Sequence, residues 1–280
     1  MNGTPRSIKT LLAQATRTLA TTSTRLDAEV LLGACLGKPR SYLHAWPEQV
    51  VEAEQQVQFL AWLQRRAAGE PVSHLTGRRE FWSLDLTVTA DTLIPRPETE
   101  TLVALALEKI PDTSTASIAD LGTGSGAIAL AIARERPHAG IIATDISVAA
   151  LAVASGNAQR LGIRNVQFTR GAWCAPLPDR PFDVILSNPP YIADSDPHLQ
   201  TGDVRHEPRS ALAAGPLGLD DLQVIVRCAR DHLANDGWLI VEHGYDQGSQ
   251  VLRLFTDQGY RDSSDRIDDA GISRVTMGRR

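Results

Sequence analysis

The sequence predicts an α/β protein in which a small all-helical domain precedes a doubly wound, parallel sheet. Three observations support this prediction. Residues 1–76 carry helical periodicity only, residues 77–97 switch to the two-residue alternation of strands, and residues 98–280 alternate short strand patterns with longer helical ones. We therefore expect a helical domain at 1–76, a β-hairpin linker at 77–97 and an α/β domain at 98–280.

Capping and breaking residues divide the helical domain. Ser7 and Thr24 are expected to cap two helices, the first ending near Ala20 and the second at Gly37. A long helix is expected over 48–68, because Gly69 follows it directly. Up to residue 76 the chain has eight Lys or Arg and six Asp or Glu. This near balance favours a domain that faces another protein over one that faces DNA.

The linker and the α/β domain are predicted from the change in the spacing of apolar residues after residue 76. Leu84, Leu86 and Val88 alternate with polar residues, which is typical of a half-buried hairpin strand. Parallel strands are then expected at 117–121, 140–145, 165–170, 182–187 and 237–243. Helices are expected at 98–109, 125–136, 147–161, 218–234 and 246–257. The last stretch, 260–278, is expected to form a closing pair of strands.

Composition excludes several classes of protein. The formal net charge of -5 disfavours a general nucleic-acid binder, which usually presents a basic surface. No apolar run approaches the length of a membrane span. The three cysteines, Cys35, Cys174 and Cys228, lie far apart without the spacing of metal ligands. We expect reduced thiols, a cytoplasmic monomer, and no metal, membrane or direct nucleic-acid partner.

A glycine-rich turn follows the first strand of the α/β domain. Gly122, Thr123, Gly124, Ser125 and Gly126 run directly into a helical pattern. Such glycines allow a tight turn and close approach of the backbone to a ligand at the carboxyl edge of the sheet. The third glycine comes one residue earlier than in the dinucleotide-binding fingerprint.

A carboxylate accompanies that turn. Asp145 ends the next strand, about 20 residues later, where it is placed to accept hydrogen bonds from ribose hydroxyls. The ribose of S-adenosylmethionine suits this arrangement, whereas a nicotinamide cofactor stays open at this point. Trp173, after the third strand, is a candidate to pack against an adenine ring, with an ordinary core position as the alternative.

A second motif, Asn188-Pro189-Pro190-Tyr191, follows a buried strand. The two prolines fix the backbone and remove two N–H donors, which leaves carbonyl oxygens free to accept. The Asn188 side-chain oxygen and the Pro189 carbonyl can each accept one hydrogen of a planar –NH2 group, and Tyr191 can stack on it. This pattern predicts methylation of an amide-type or exocyclic amino nitrogen, either in DNA adenine or in a protein glutamine.

Taken together, these segments resemble the release-factor glutamine N5-methyltransferases, the PrmC/HemK family, along nearly the whole chain. The matching segments are Gly77–Trp82, Ile94–Glu100, Asp120–Gly126, Asp145–Ser147 with Ala150-Leu151, Asn188–Tyr191, Glu207–Arg209 with Ala211-Leu212, and Glu242–Gly244. The Asn-Pro-Pro-Tyr motif is shared with adenine-N6 DNA methyltransferases. The segment around Arg96 and the helical N-terminal domain are the features that favour the release-factor glutamine N5-methyltransferases over the other families with this motif.

The resemblance implies a seven-stranded Rossmann-like methyltransferase sheet and S-adenosylmethionine as cofactor. It implies that Gly122–Gly126, Asp145, Trp173 and Asn188 bind the cofactor, and that Asn188–Tyr191 bind the substrate glutamine and carry the catalysis. The implied substrate is the glutamine of the Gly-Gly-Gln motif in class 1 peptide chain release factors, which the helices of 1–76 would dock. Alternatives are a glutamine methyltransferase acting on a ribosomal protein, a DNA adenine-N6 methyltransferase, and a non-catalytic cofactor-binding module.

Overall fold

The computed structural model describes residues 6–19, 21, 23–113 and 115–280. The chain divides into two compact units, Met1–Arg78 and Arg79–Arg280. One cluster of buried apolar residues fills the first unit, and two clusters fill the second. The hairpin expected at 77–97 therefore belongs almost entirely to the second unit.

The first unit is helical. Its helices are α1 (Ile8–Thr18), α2 (Thr24–Leu36), α3 (Arg40–Ala45), α4 (Ala53–Ala67) and α5 (Val72–Thr76). Ser7 caps α1 as expected, because its hydroxyl accepts from the Thr10 N–H. Gly37 ends α2 in the left-handed conformation at φ 61°. The cap position of α2 is Ser23, so the prediction of Thr24 was one residue late; Ala20, the predicted end of α1, lies outside the described residues.

The long helix begins at Ala53, five residues later than the pattern indicates. The preceding residues are engaged elsewhere in the same unit. Pro47 and Gln49 carbonyls accept from the first turn of α1, and Val50 forms a β-bridge with Ser7. Because of these tertiary contacts, backbone groups of residues 47–50 find partners without forming a helix. The local sequence pattern carries no information about such contacts, so it places the start of the helix too early.

The hairpin consists of β1 (Arg78–Phe81) and β2 (Leu84–Thr87). Trp82 and Ser83 form its two-residue turn with φ values of 50° and 57°. Positive φ at both central positions matches the right-handed twist of a hairpin, although Asn and Gly are the usual residues there. Phe81, Leu84 and Leu86 are buried in the core of the second unit.

A seven-stranded sheet organises the second unit. The strands are β3 (Ser117–Leu121), β4 (Gly140–Asp145), β5 (Val166–Arg170), β6 (Phe182–Ser187), β7 (Leu233–Glu242), β8 (Arg261–Ile267) and β9 (Ser273–Arg279). Their order is β5-β4-β3-β6-β7-β9-β8. The five strands from β5 to β7 pair in parallel, and β9 pairs antiparallel with both β7 and β8. The closing pair of strands is confirmed, and it makes the sheet mixed rather than wholly parallel.

Helices cover both faces of the sheet. They are α6 (Glu100–Lys109), α7 (Ala127–Glu135), α8 (Val148–Leu161), α9 (Asp220–His232) and α10 (Gly248–Asp257). Alternate β3 residues enter different clusters: Ile118 joins the one that contains α6 and α7, and Ala119 joins the one that contains α9 and α10. Successive side chains of a strand point to opposite faces, so the two clusters are the two sides of a doubly wound sheet.

Candidate active site

The segments that the sequence nominates for chemistry meet at one edge of the sheet. The glycine-rich loop follows β3, Asp145 ends β4 and Asn188 follows β6. Because β3 lies between β4 and β6, the carboxyl ends of these strands are neighbours, as is typical of ligand sites in open α/β sheets. A cavity of about 420 Å³ opens there. Among the nominated residues, those lining it are Gly122, Thr123, Gly124, Ser125, Asp145, Trp173, Asn188 and Pro190.

The glycine-rich loop depends on backbone conformations that favour glycine. Gly122, Gly124 and Gly126 all have positive φ, and a Cβ on Gly122 would lie 3.0 Å from the Trp173 ring. A Cβ on Gly126 would lie 3.1 Å from the Ala154 Cβ, where α7 packs against α8. Gly126 is not among the residues that line the cavity; its lack of a side chain lets the start of α7 lie close to Ala154 of α8.

Asp120, at the end of β3, is the most buried acid beside this loop. One of its oxygens accepts a 2.6 Å hydrogen bond from the Thr123 hydroxyl. The other, Oδ1, is buried and has no partner among the described residues. Burial raises the pKa of Asp120 from 3.8 to about 7, against the opposing interactions with the Thr123 hydroxyl and, more loosely, the Ala129 backbone N–H.

Asp145 is held by backbone donors. Its Oδ2 accepts from the Gly124 N–H at 2.9 Å, and its Oδ1 accepts from the Ser147 N–H at 2.8 Å. Each carboxylate oxygen has two acceptor sites, so one remains on each oxygen for a ligand. The carboxylate thus fixes the loop between β3 and α7 and still faces the cavity as an acceptor.

Trp173 stands in a strained backbone conformation, with φ at 48°. Its carbonyl accepts from the Thr144 hydroxyl at 3.1 Å, and its ring lies against Gly122. Its side chain also hydrogen-bonds Asp221, although burial outweighs this bond and raises the pKa of that acid. The Trp173 ring is therefore both partly buried and part of the cavity wall.

The Asn188–Tyr191 loop is anchored from behind. The Asn188 side-chain N–H donates to the Thr99 hydroxyl at 3.1 Å. Pro189 and Pro190 are buried, and Pro190 lines the cavity. The Tyr191 hydroxyl donates to Glu242 Oε1 at 3.2 Å, and its backbone carbonyl accepts from Gln247 at 3.0 Å. Pro189 and Tyr191 do not line the cavity, so stacking of Tyr191 on a substrate stays a prediction.

Glu242 is a buried acid at the end of β7, exposed by only 1%. Burial raises its pKa from 4.5 to about 7, while hydrogen bonds from Thr99 and Tyr191 and the charge of Arg274 oppose the rise. The same environment raises the pKa of Tyr191 above its usual value, chiefly through burial and then through the charge of Glu242. The tyrosine is therefore a neutral hydrogen-bond donor over the working pH range.

Three residues that support the site have no role assigned by the sequence motifs. Asn157 of α8 is fully buried and bonds Thr87 of the hairpin and the Ser125 carbonyl. Gln247 donates to the carbonyl of Tyr191 and accepts from the Gly244 N–H. Both occur within ordinary helical patterns, which carry no signal of such long-range bonds.

Glu207 is the third. Its buried carboxylate pairs with Arg96 and accepts from the Ile94 N–H at 2.8 Å. Two segments quoted for the family resemblance, 94–100 and 207–212, are therefore in direct contact. The resemblance contained both, but nothing in the sequence indicates that they pair.

The expectation of reduced cysteines was wrong for two of the three. Cys174, directly after Trp173, forms a disulfide with Cys228 of α9, at a Cα–Cα distance of 6.1 Å. Their separation of 54 residues hides this proximity, because only the packing of α9 on the sheet brings them together. Cys35 is a free thiol, and burial raises its pKa to about 12.

None of the helices in the described part of the chain is both long and apolar enough to cross a membrane. Within 6–19, 21, 23–113 and 115–280, no three His, Cys, Asp or Glu side chains are grouped so that they could hold a metal ion.

Comparison with known proteins shows the family. Residues 10–77 match the model of the PrmC N-terminal domain, and residues 99–206 match that of the methyltransferase small domain. The release factor glutamine methyltransferase of Coxiella burnetii is 50% identical over 276 residues, covering 98% of this chain and 99% of its own. That of Pseudomonas aeruginosa is 51% identical over 256 residues, covering 91% of this chain and 92% of its own.

Solved structures agree on the fold. A methyltransferase from Pyrococcus furiosus superposes with a TM-score of 0.54 at 16% identity, covering 81% of this chain and 98% of its own. At that identity the likeness concerns the α/β methyltransferase fold alone. The relatives at about 50% identity match almost the entire chain, and their glutamine methyltransferase activity agrees with a cavity lined by the glycine loop, Asn188 and Pro190. The chain therefore belongs to the release factor glutamine methyltransferases.

Proposed function

We propose that this enzyme transfers a methyl group from S-adenosylmethionine to the side-chain amide nitrogen of the glutamine in the Gly-Gly-Gln motif of class 1 release factors. One observation carries the proposal. Asn188 and Pro190 line the same cavity as the glycine-rich loop and Asp145. A methyl donor held by the loop and an amide held by Asn188 would share one enclosed space.

The cavity suits S-adenosylmethionine in its size and in its chemistry. Its volume of about 420 Å³ falls within the range of small-molecule sites. The free acceptor sites of Asp145 fit ribose hydroxyls, and the Trp173 ring offers a flat apolar wall for a purine.

S-adenosylmethionine supplies an electrophilic methyl group when it is bound. The chain's own residues have to activate the amide nitrogen, whose lone pair is delocalised into the carbonyl. The Asn188 Oδ1 and the Pro189 carbonyl accept no hydrogen bond from the described residues. Asn188 lines the cavity and is available for one amide hydrogen, whereas Pro189 does not line it, so the motif alone supports its carbonyl as the acceptor of the other. Accepting both hydrogens increases electron density on nitrogen, and the rigid Pro-Pro backbone fixes its direction of approach. The methylated amide keeps one N–H, so the other hydrogen leaves as a proton to solvent at the cavity mouth.

The substrate protein would be recognised by the first unit. We propose that the helices of residues 1–76 dock the release factor while its glutamine enters the cavity of the second unit. Trp46 and Val57 expose 59% and 70% of their surface on this unit, and they are the first candidates for such contacts. Because release factors act in translation, we expect the enzyme in the cytoplasm, and a monomer suffices for this chemistry.

Methylation of a purified release factor tests the proposal directly. The factor is incubated with the enzyme and isotopically labelled S-adenosylmethionine, and the labelled residue is mapped by mass spectrometry. We expect one added methyl on the glutamine of the Gly-Gly-Gln motif, and none when that glutamine is replaced by alanine. Label on a ribosomal protein instead would assign the enzyme to the other glutamine substrate. Label on duplex DNA would support the adenine reaction, and no transfer to any of the three would contradict the proposal.

A further inference from the structure

Thr99 occupies a position that the methyl-transfer chemistry itself does not require. It ends a short 3-10 turn, Pro97–Thr99, directly before α6. Its side chain is only 4% exposed and lines the same cavity as Asn188. A buried hydroxyl at a catalytic cavity is retained at a cost unless it forms hydrogen bonds, so its partners indicate its role.

The Thr99 hydroxyl has two polar neighbours: Asn188, which lines the cavity, and the buried Glu242, which does not. The Asn188 side-chain N–H donates to the Thr99 oxygen at 3.1 Å. The Thr99 hydroxyl in turn interacts with the buried carboxyl of Glu242 and stabilises the ionised form. The Tyr191 hydroxyl forms a hydrogen bond with Glu242 Oε1 at 3.2 Å, whereas Glu242 Oε2 is buried and has no hydrogen bond of normal geometry to any described residue. The contact between Thr99 and Glu242 is therefore looser than the one between Tyr191 and Glu242.

The chemistry of these partners fixes the direction of the chain of hydrogen bonds. Above its pKa of about 7, the Glu242 carboxylate is ionised and only accepts, so at that pH both hydroxyls that face it must donate to it. The Thr99 oxygen is then available only as an acceptor toward Asn188, and the Asn188 group that faces it must be the amide N–H. This leaves Asn188 Oδ1, the acceptor that an amide substrate needs, on the opposite side of the side chain.

We propose that Thr99 is a positioning residue that fixes the amide orientation of Asn188, with the Glu242 carboxylate behind it setting the direction of its hydroxyl. The inference rests on the proposed function of Asn188 and extends it to the residues that orient it. Without the Thr99 hydroxyl, Asn188 can rotate by half a turn about its last bond and present N–H donors to a substrate that is itself a donor.

Substitution of the hydroxyl alone tests the proposal. Thr99→Val preserves the shape of the side chain and removes the acceptor, whereas Thr99→Ser keeps the hydroxyl. We expect Thr99→Val to lower kcat for methylation of the release factor about tenfold. Thr99→Ser should remain within about threefold of the wild type. The affinity for S-adenosylhomocysteine, measured by calorimetry, should change less than twofold in both variants.

A matched control and a second readout separate positioning from general damage. Thr256→Val makes the same change at an exposed threonine of α10, whose hydroxyl bonds only the Leu252 carbonyl, and it should leave kcat unchanged. In nuclear magnetic resonance spectra, the Asn188 side-chain NH2 signals are identified by their loss in Asn188→Asp. Their exchange with water should accelerate severalfold in Thr99→Val but not in Thr99→Ser.

The outcomes distinguish this inference from the proposed function. Unchanged kcat in Thr99→Val, or equal losses in the valine and serine variants, would overturn the positioning role. The positioning role would also be overturned if Thr99→Val left the exchange rate of the Asn188 side-chain NH2 hydrogens unchanged, whichever substrate the enzyme methylates. If the wild type modifies no release factor while the Asn188 signal still depends on the Thr99 hydroxyl, the proposed function fails and the positioning role stands.

Discussion

At the scale of single residues, Asn188 is the side chain on which the proposed chemistry depends most. Asn188→Ala would remove the acceptor proposed for one substrate hydrogen, and it leaves the Thr99 hydroxyl without its donor. By analogy with the loss of one oxyanion-hole partner, we expect a loss of about 3 kcal/mol of transition-state stabilisation. The measurement is kcat/KM for methylation of the release factor. Near-normal turnover of the variant would contradict the mechanism.

Asp145 is expected to act on the cofactor and not on the substrate. Asp145→Ala removes the acceptors for the Gly124 and Ser147 N–H groups as well as those left for a ribose. We expect the affinity for S-adenosylhomocysteine to fall at least tenfold, measured by isothermal titration calorimetry, because charge-assisted hydrogen bonds are stronger than neutral ones. Asp183→Ala is the matched control, since that carboxylate caps the exposed Ser117 N–H outside the cavity. Equal affinity in the wild type and Asp145→Ala would refute the ribose role.

At the scale of elements, Asn157 joins three segments that are distant in sequence. Its Oδ1 accepts from Thr87 of the hairpin, and its Nδ2 donates to the Thr87 and Ser125 carbonyls at 2.9 and 3.0 Å. Asn157→Ala would leave buried backbone groups of the hairpin and the glycine loop without partners. We expect the free energy of unfolding, measured by urea denaturation, to fall by about 2–4 kcal/mol.

The same change at a less connected asparagine provides the comparison. Asn165 donates to three carbonyls at the end of α7 and beyond it, but it has no contact with the hairpin or the glycine loop. Asn165→Ala should therefore lower stability without altering the affinity for S-adenosylhomocysteine, whereas Asn157→Ala should lower both. Equal cofactor affinity in the wild type and Asn157→Ala would show that the loop does not depend on this bond.

Most elements could be predicted because their signals are local. The strands at 117–121, 140–145 and 182–187 have the predicted bounds, since each is a short apolar run between turn residues. β7 begins at Leu233, four residues before the predicted start. A register shift between Phe182 and Val184 accommodates extra residues of β7, and Asp236 adopts a φ of 66° there. The polar residues at this bulge interrupt the strand pattern, so periodicity alone places its start too late.

The candidate site could be predicted only as far as its motifs extend. The glycine loop, Asp145 and Asn188 were nominated by residue type and by position at strand ends, and the parallel sheet brings them to one cavity. Thr99 and Glu207 contribute through contacts across 89 and 111 residues of sequence. Such contacts depend on tertiary packing, and a threonine before a helix has the same local pattern whether or not it faces a catalytic side chain.

At the scale of the whole molecule, two buried acids couple stability to pH. Burial raises the pKa of Asp120 and of Glu242 to about 7 from their usual values of 3.8 and 4.5. Between those usual values and about 7, the folded protein holds protons that the unfolded chain has released. Their contribution to stability is therefore fully present below the usual values and is lost as the pH rises to about 7.

Urea unfolding at pH 5 and pH 8 measures this coupling. We expect the free energy of unfolding of the wild type to fall between these pH values by more than that of Glu242→Gln, because glutamine keeps hydrogen-bonding capacity but does not titrate. Asp120→Asn should reduce the pH dependence in the same direction. Other groups also titrate in this range, so the informative quantity is the difference between the wild type and each variant. A difference that stays constant from pH 5 to pH 8 would show that the acid titrates alike in the folded and unfolded chains.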